Sequence, residues 1–372
     1  MSIYYRNQLS ERNSHIIERL DTIYKHKNEL NNLPLKEHDK YVIMSDLHLG
    51  DGKGADNFER NEETLLTALD YYKAQGCNIV LLGDVEELWQ FDLHEIVQRY
   101  QNSIYHLLSN FEPGKVFRVF GNHDSEWGGI DDPIANISHR FYGAPEAVFI
   151  DGDIILLHGH QGDSFAEKRA WISRFWVRLF RIIEPCIRKL GYENYSATES
   201  QIPKDREKVL YQWAKSKKVI MIAGHTHRAM FASRCYFRWL EEQIKLIKEK
   251  LQDENLDPEV EIQLKTILKY YRKERRIEKK KGRDIDELDV NQRPLPCYFN
   301  TGSGLYSAGI TAIELEYQKI HLVKWSNDSS LPAGDRRSEF WSDCNLQEFR
   351  DEIQGREPIR SPEIIQHIPE LH

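Results

Sequence analysis

The segment Tyr41-Val-Ile-Met-Ser-Asp46-Leu-His48 combines a short apolar run with an abrupt end in residues that can bind metal ions. The same pattern occurs at four more places along the chain. These are Asn78-Ile-Val-Leu-Leu-Gly-Asp84, Val116-Phe-Arg-Val-Phe-Gly-Asn122-His123-Asp124, Asp153-Ile-Ile-Leu-Leu-His158-Gly-His160 and Val219-Ile-Met-Ile-Ala-Gly-His225-Thr-His227. Short apolar runs without strict alternation are typical of strands that are buried on both faces. The pattern therefore predicts five buried strands.

Helix-length segments separate the first three of these strands. From Asn61 to Gln75 and from Asp92 to Asn110, apolar residues such as Leu65 and Leu69 recur at helical spacing. Strands that alternate with helices indicate an α/β fold. In such sheets, ligands bind beyond the carboxyl ends of the strands, which is where all five sets of reactive residues lie. We therefore predict one site at converging strand ends.

The residues at these strand ends have the chemistry of a metal centre. Asp46 and His48 are two residues apart, so their side chains point to the same side and can share one ion, and His225 and His227 repeat this spacing. The predicted ligands are Asp46, His48, Asp84, Asn122, His158, His225 and His227. This mixed oxygen and imidazole set is too large for one tetrahedral zinc ion and suits two adjacent ions that share a carboxylate. His160 is the alternative to His158.

Composition narrows the classes of function. The chain has 372 residues and a formal net charge of −8, from 51 Lys and Arg against 59 Asp and Glu, which does not favour a protein that coats nucleic acid or an anionic membrane. The five cysteines form no CxxC pair and do not indicate a disulfide framework. Because the sequence has neither a membrane-spanning apolar stretch nor a secretory apolar region, we expect a cytoplasmic protein.

Two helical insertions interrupt the strand pattern. In the first, the aromatic and basic segment Trp171 to Leu190 is typical of a cap that packs on the core. An interfacial helix that contacts the membrane and holds a lipid-linked substrate is the alternative. In the second, apolar stripes around Ile244 and Ile267 predict a helical hairpin that packs on itself or, as a homodimer, on a second copy. The basic run Arg272 to Arg283 fits a solvated face or contact with phosphate groups.

The predicted organisation is one core with additions. We assign residues 1–37 to an N-terminal helical segment, 38–162, 217–232 and 293–325 to the core, 163–216 to the cap, 233–292 to the hairpin and 326–372 to a polar tail without a predicted element.

The motifs DxH, GDxxE, GNHD, HG and GHTH occur in this order between about Tyr41 and Ser307, and with them the chain resembles the calcineurin-like metallophosphoesterases. The resemblance implies a four-layer αββα sandwich, with the cap and the hairpin as insertions. It also implies a hydrolase in which a metal-bridging hydroxide attacks phosphorus. In this reading Asp46, His48, Asp84 and His227 hold one divalent ion, and Asp84, Asn122, His158 and His225 hold the other.

The same resemblance suggests roles for residues beside the ligands. His123 would protonate the leaving oxygen, and Glu87, where many relatives have Asp, would orient its ring. Arg228 is a candidate contact for substrate phosphate, and a solvated loop arginine is the alternative. Mn²⁺ is the favoured metal, with Fe, Zn or Mg as alternatives.

Within the family, the segments Ser45 to Gly50, Gly83 to Trp89 and His225 to Arg228 are most similar to the UDP-2,3-diacylglucosamine pyrophosphatase group, which cleaves a nucleotide–lipid pyrophosphate. Those enzymes typically have Arg after the Asn ligand, where this chain has His123. The alternatives are a nucleotide phosphodiesterase or nuclease that uses the basic hairpin, and a non-catalytic scaffold of the same fold. The complete ligand set disfavours the scaffold.

Overall fold

The computed structural model describes residues 3–125, 145–162, 201–252, 256, 258–280, 288 and 294–356. Its α-helices are α1 (Ile3–Lys25), α2 (Glu62–Ala74), α3 (Leu93–Tyr100), α4 (Ile104–Ser109), α5 (Gln201–Lys217), α6 (Tyr236–Lys250), α7 (Pro258–Lys280) and α8 (Leu346–Gln354). Its strands are β1 (Asn32–Leu33), β2 (Lys40–Met44), β3 (Asn78–Leu82), β4 (Val116–Val119), β5 (Ala147–Ile150), β6 (Ile154–Leu157), β7 (Ile220–Ala223), β8 (Met230–Phe231), β9 (Arg234–Cys235), β10 (Tyr298–Asn300), β11 (Ile310–Glu316), β12 (Lys319–Trp325) and β13 (Arg337–Asn345).

The described strands form two mixed sheets. Sheet A has the order β1-β5-β6-β7-β10-β8-β9, and sheet B has the order β13-β12-β11-β2-β3-β4. The strands β2, β3 and β4 are parallel neighbours in sheet B, as are β6, β7 and β10 in sheet A. The five strands predicted from the sequence are β2, β3, β4, β6 and β7. The predicted α/β sandwich is therefore confirmed.

Alternating side chains of sheet B are buried on its two faces. Ile43 and Val80 belong to the core that sheet B shares with sheet A, whereas Val42 and Ile79 belong to a second core that includes residues of α2, α3 and α4. Because successive residues of a strand point to opposite faces, strands buried on both faces read as unbroken apolar runs. This explains why the predicted strands of sheet B appear in the sequence as unbroken apolar runs.

Helices α1 and α5 pack on each other and contribute to the core of sheet A. Ile16 and Leu20 of α1 and Leu210 of α5 are buried there. The Trp213 indole donates a hydrogen bond to Asp21 Oδ1 at 3.0 Å. Among the described residues, no helix combines the length and the apolar character that crossing a membrane requires.

The predicted hairpin is formed by α6 and α7. Its two apolar stripes are buried in the same core as sheet A, as at Ile244, Ile247, Ile267 and Leu268. The stripes are thus covered within one chain, and burying them does not require a second copy. The predicted homodimer stays untested. The predicted cap lies outside the described residues, except for the part that forms α5.

The sequence predicts no helix or strand after Ser326, and this prediction is wrong. Strand β13 pairs antiparallel with β12 across a register irregularity, and this neighbour gives a polar sequence its strand conformation. Helix α8 has Asn345 as its N-cap, whose side chain accepts hydrogen bonds from two backbone N–H groups, and Gly355 in the left-handed conformation as its C-cap. Both are standard helix-end signals, and Phe349 and Ile353 supply the buried face.

Candidate metal centre

The carboxyl ends of the parallel strands in both sheets meet at one place, where the predicted ligands lie. Five of these residues have a left-handed backbone although none is glycine: Asp46 (φ 53°), His48 (φ 50°), Asp84 (φ 50°), His225 (φ 69°) and His227 (φ 54°). This conformation is unfavourable for residues with a Cβ atom and clusters at functional sites in proteins. Left-handed backbone conformations therefore occur in the same loops that carry the ligand motifs.

Asp46, His48 and His227 form a first cluster of metal-binding atoms. His227 Nε2 lies 3.1 Å from Asp46 Oδ1 and 3.2 Å from His48 Nε2. Asp46 and His48 follow β2 in sheet B, and His227 follows β7 in sheet A. The cluster therefore depends on both sheets.

Asp84, His158 and His225 form a second cluster next to the first. Asp84 Oδ2 lies 3.0 Å from His158 Nε2 and 3.9 Å from His48 Nε2, so this carboxylate lies between the two clusters. Gly83 makes room for this approach, because a Cβ atom there would lie 2.6 Å from the His158 ring, and its φ of +81° also suits glycine.

Three buried side-chain atoms support the interpretation as a cation site. Asn122 Oδ1 has no hydrogen-bond partner within the part of the chain that the structure describes, whereas Asp46 Oδ1 and His158 Nε2 face other candidate ligand atoms, His227 Nε2 at 3.1 Å and Asp84 Oδ2 at 3.0 Å. The other atoms of two of these side chains are engaged: Asp46 Oδ2 accepts from the His225 N–H at 2.9 Å, and His158 Nδ1 donates to the Leu82 carbonyl at 2.9 Å. A buried polar atom without a partner is costly, and a bound cation would satisfy Asn122 Oδ1 as well as the ligand atoms that face one another. The donor set fits divalent metal ions.

The carboxylates change the ionisation of the buried histidines. Burial lowers the pKa of His158, but Asp84 and Asp46 outweigh it and raise this pKa to about 9. In contrast, burial and then the nearby Arg206 charge hold the pKa of His225 well below its usual range. The His225 ring is therefore neutral, so one of its nitrogens can offer a lone pair to a metal ion.

His123 forms a third group of metal-binding atoms with His48 and Asp84, and its ring is held from two sides. Its Nδ1 atom lies 2.7 Å from Glu87 Oε1, and its ring stacks on Trp89 with a centroid distance of 4.1 Å. The second Glu87 oxygen, Oε2, lies 2.7 Å from His48 Nδ1. Burial raises the pKa of Glu87, but its contacts with the two histidines lower it to about 2. The structure thus brings the predicted pair together and adds two contacts that the motifs did not predict.

Two further candidates, Arg228 and His160, are not members of the clusters described above. Arg228 is buried, and its Nη1 atom donates to Glu207 Oε2 at 2.6 Å; its contact with substrate phosphate stays a prediction. His160 belongs to none of the described metal-binding clusters, whereas His158 does. The preference for His158 over His160 therefore has geometric support.

A buried network behind the loops supports the sheet B side. Asp124 accepts backbone hydrogen bonds from Gly121 at 2.6 Å and Val85 at 2.8 Å, which ties two ligand loops together. Glu86 forms a buried ion pair with Arg118. Asp124 is the last residue of the GNHD motif, but the spacing of the motif does not predict this supporting role.

The loop after β10 also supports the ligand loops, a role that was not predicted from the sequence. Its Ser303 hydroxyl donates to the Asp46 carbonyl at 3.1 Å, and its Tyr306 hydroxyl donates to the His227 carbonyl at 2.6 Å. The sequence Asn300-Thr-Gly-Ser-Gly304 follows a strand as the ligand loops do, so the signal was present.

An open cleft of about 260 Å³ lies over the clusters. Its lining includes the candidate ligands His48, Asp84, His225 and His227, together with Glu87, His123, Asn57, Gln90, Phe91 and Leu305. The candidate ligands are thus accessible to a small molecule from one side.

A family model described as calcineurin-like phosphoesterase matches residues 40–229, which is just over half of the chain. No curated protein matches the sequence. The matched residues include all five predicted strands and every candidate ligand.

Proposed function

The chain belongs to the calcineurin-like phosphoesterase family, and from this premise we propose that it hydrolyses a phosphodiester or pyrophosphate bond at a two-metal centre. The observation that carries the proposal is that loops from both sheets bring metal-binding atoms together in two adjoining clusters, Asp46, His48 and His227 in one and Asp84, His158 and His225 in the other. We propose that one ion is held by Asp46, His48, Asp84 and His227, and the other by Asp84, Asn122, His158 and His225.

The protein fixes the reacting groups through these side chains. The chemistry that two bound divalent ions supply is activation of a water nucleophile and neutralisation of charge on the phosphoryl oxygens. Oxygen and imidazole donors without thiolate suit Mn²⁺, which stays the favoured metal, with Fe, Zn or Mg as alternatives.

His123 is proposed as the general acid. Glu87 engages Nδ1 of its ring, which leaves Nε2 for the leaving oxygen at the edge of the cleft. The Glu87 carboxylate also orients the ring through this hydrogen bond. The stack on Trp89 fixes the plane of the ring, so the proton is delivered in one direction.

For the substrate we propose a nucleotide–lipid pyrophosphate such as UDP-2,3-diacylglucosamine. The support is the similarity of three motif segments to enzymes of that group. Contact of the chain with a membrane surface through the segment Trp171 to Leu190 belongs to this proposal. The second candidate is a nucleotide phosphodiesterase or nuclease, which the exposed basic residues Arg272, Lys273, Arg276 and Lys279 of α7 favour.

A substrate screen tests the proposal. Metal-stripped full-length protein is assayed with and without Mn²⁺ on phosphomonoesters, aryl phosphodiesters, cyclic nucleotides, single-stranded nucleic acid and UDP-2,3-diacylglucosamine. We expect Mn²⁺-dependent cleavage of diesters, with the highest kcat/KM on the nucleotide–lipid. Salt-sensitive cleavage of nucleic acid as the best reaction would favour the second candidate, and no hydrolysis of any compound would contradict both.

A further inference from the structure

Helix α5 carries two adjacent charged residues, Arg206 and Glu207, whose exposed fractions are only 2% and 0%. Burying a charge costs free energy unless hydrogen bonds and a partner replace the lost water. Neither residue is needed to give α5 an apolar face, which Leu210, Trp213 and Ala214 supply. The contacts of the two charges therefore indicate what they do.

Arg206 holds the loop that carries His158. Its Nε atom donates to the Gly159 carbonyl, and its Nη2 atom donates to the Gln161 carbonyl at 2.7 Å. Within the same loop, the Gln161 side chain accepts from the Gly159 N–H at 2.9 Å. A guanidinium presents several donors in a fixed plane, so two carbonyls on one such group are fixed relative to each other.

Glu207 holds the loop that carries His225 and His227. Its Oε1 atom accepts from the Thr226 hydroxyl at 2.7 Å, and its Oε2 atom accepts from Arg228 Nη1 at 2.6 Å. Thr226 lies between the two histidines in the sequence. The Glu207 carboxylate therefore binds the middle of the loop that carries His225 and His227.

We propose that Arg206 and Glu207 are positioning residues that set the distance between the His158 loop and the His225–His227 loop. Adjacent residues of an α-helix point about 100° apart, so two neighbouring side chains of one rigid helix reach two different loops. This inference rests on the proposed metal centre, because it assigns to α5 the spacing of its ligands.

The backbone of the second loop shows why such a support is needed. His225 and His227 both have left-handed φ angles, and each such residue costs on the order of 1–3 kcal/mol. Without outside contacts, the loop would relax toward ordinary φ values and the imidazoles would separate from His158. Thr226, held by Glu207, is the residue between the two strained positions.

The test compares Glu207→Gln with Glu314→Gln in the full-length protein. Glu314 of β11 is a matched control, since it is also buried and accepts from a hydroxyl, that of Tyr72 at 2.6 Å, and from an arginine, Arg337. It lies in sheet B, in neither of the two loops that α5 contacts. The readouts are calorimetric affinity of the metal-stripped protein for Mn²⁺ and the Tm without metal.

We expect both variants to lower the Tm, but only Glu207→Gln to weaken Mn²⁺ binding, by about ten-fold. Equal losses of Tm with wild-type Mn²⁺ affinity in both variants would overturn the positioning role and leave the proposed function standing. If the wild-type protein itself binds no Mn²⁺, the proposed function fails and the positioning role with it.

A second pair of variants applies if Glu207→Gln does not fold. Thr226→Val removes the hydroxyl that donates to Glu207 and keeps the shape of the side chain, whereas Thr226→Ser keeps the hydroxyl. We expect weaker Mn²⁺ binding for Thr226→Val and near wild-type affinity for Thr226→Ser. Equal affinity in the two variants would contradict the proposal.

Discussion

In the sheet B half of the candidate centre, which contains Asp46, His48, Asp84 and Asn122, two supporting side chains come from the same short loops as the ligands. Glu87 follows Asp84 closely and contacts His48, and Asp124 follows Asn122 and ties its loop to the neighbouring one. In the sheet A half, which contains His158, His225 and His227, two main supports come from α5, a separate part of the chain.

The difference lies in where the supporting side chains stand in the sequence. In both sheets the ligand loops follow adjacent parallel strands. In sheet B the side chain of Asp124 reaches the neighbouring loop, whereas in sheet A the loops are held by Arg206 and Glu207 of α5. A ligand motif can therefore carry its own supports in one half of a site and depend on a distant helix in the other.

The largest effect is expected from Asp84→Ala, because Asp84 is the carboxylate that joins the two halves. Its Oδ2 atom faces His158 at 3.0 Å and His48 at 3.9 Å. We expect kcat/KM on an aryl phosphodiester with Mn²⁺ to fall by at least about 10³-fold. The control is Asp70→Ala, on the exposed face of α2. Wild-type hydrolysis by Asp84→Ala would show that the halves do not form one centre.

The next effect is expected from His123→Ala, which changes the sheet B half without removing a proposed metal ligand. Loss of a general acid lowers kcat by about 10²–10⁴-fold. The loss should be smaller for a nitrophenyl ester, whose leaving group needs no proton, than for an alkyl ester, while Mn²⁺ affinity stays unchanged. Equal losses on both esters would contradict the role as acid.

Asp124→Asn tests whether the sheet B supports resemble the α5 supports. The amide can accept from only one of the two backbone N–H groups with the same geometry, so an unsatisfied buried donor costs about 1–3 kcal/mol of unfolding free energy. Urea unfolding measures this loss. We also expect an approximately ten-fold lower Mn²⁺ affinity, similar to Glu207→Gln. An unchanged affinity would mean that the two halves differ in their need for support.

The smallest effect is expected from Trp89→Phe. The phenyl ring keeps a stack on His123, but the hydrogen bond from the Trp89 indole to the Asn122 carbonyl, 2.8 Å long, is lost. A bond worth about 0.5–1.5 kcal/mol corresponds to a decrease in kcat of a few-fold, with KM unchanged. A KM increase at constant kcat would assign Trp89 to substrate binding instead.

The sequence predicted the strands of the core and the residues that meet at their ends, because buried strands and ligand spacing are local patterns. The sequence also contains the capping residues of α8, Asn345 and Gly355, although no helix was predicted there. Strand β13 could not be predicted in this way, since its conformation depends on pairing with β12. Likewise, nothing local distinguishes Arg206 and Glu207 from the other charged residues of α5, because their role depends on loops that are remote in sequence.

The most direct test of the centre is anomalous diffraction from crystals of the metal-stripped protein soaked with Mn²⁺. The proposed centre predicts two anomalous peaks on either side of Asp84. One peak should lie among Asp46, His48 and His227, and the other among Asn122, His158 and His225. No peak at this position, or peaks that persist unchanged in Asp84→Ala crystals, would contradict it.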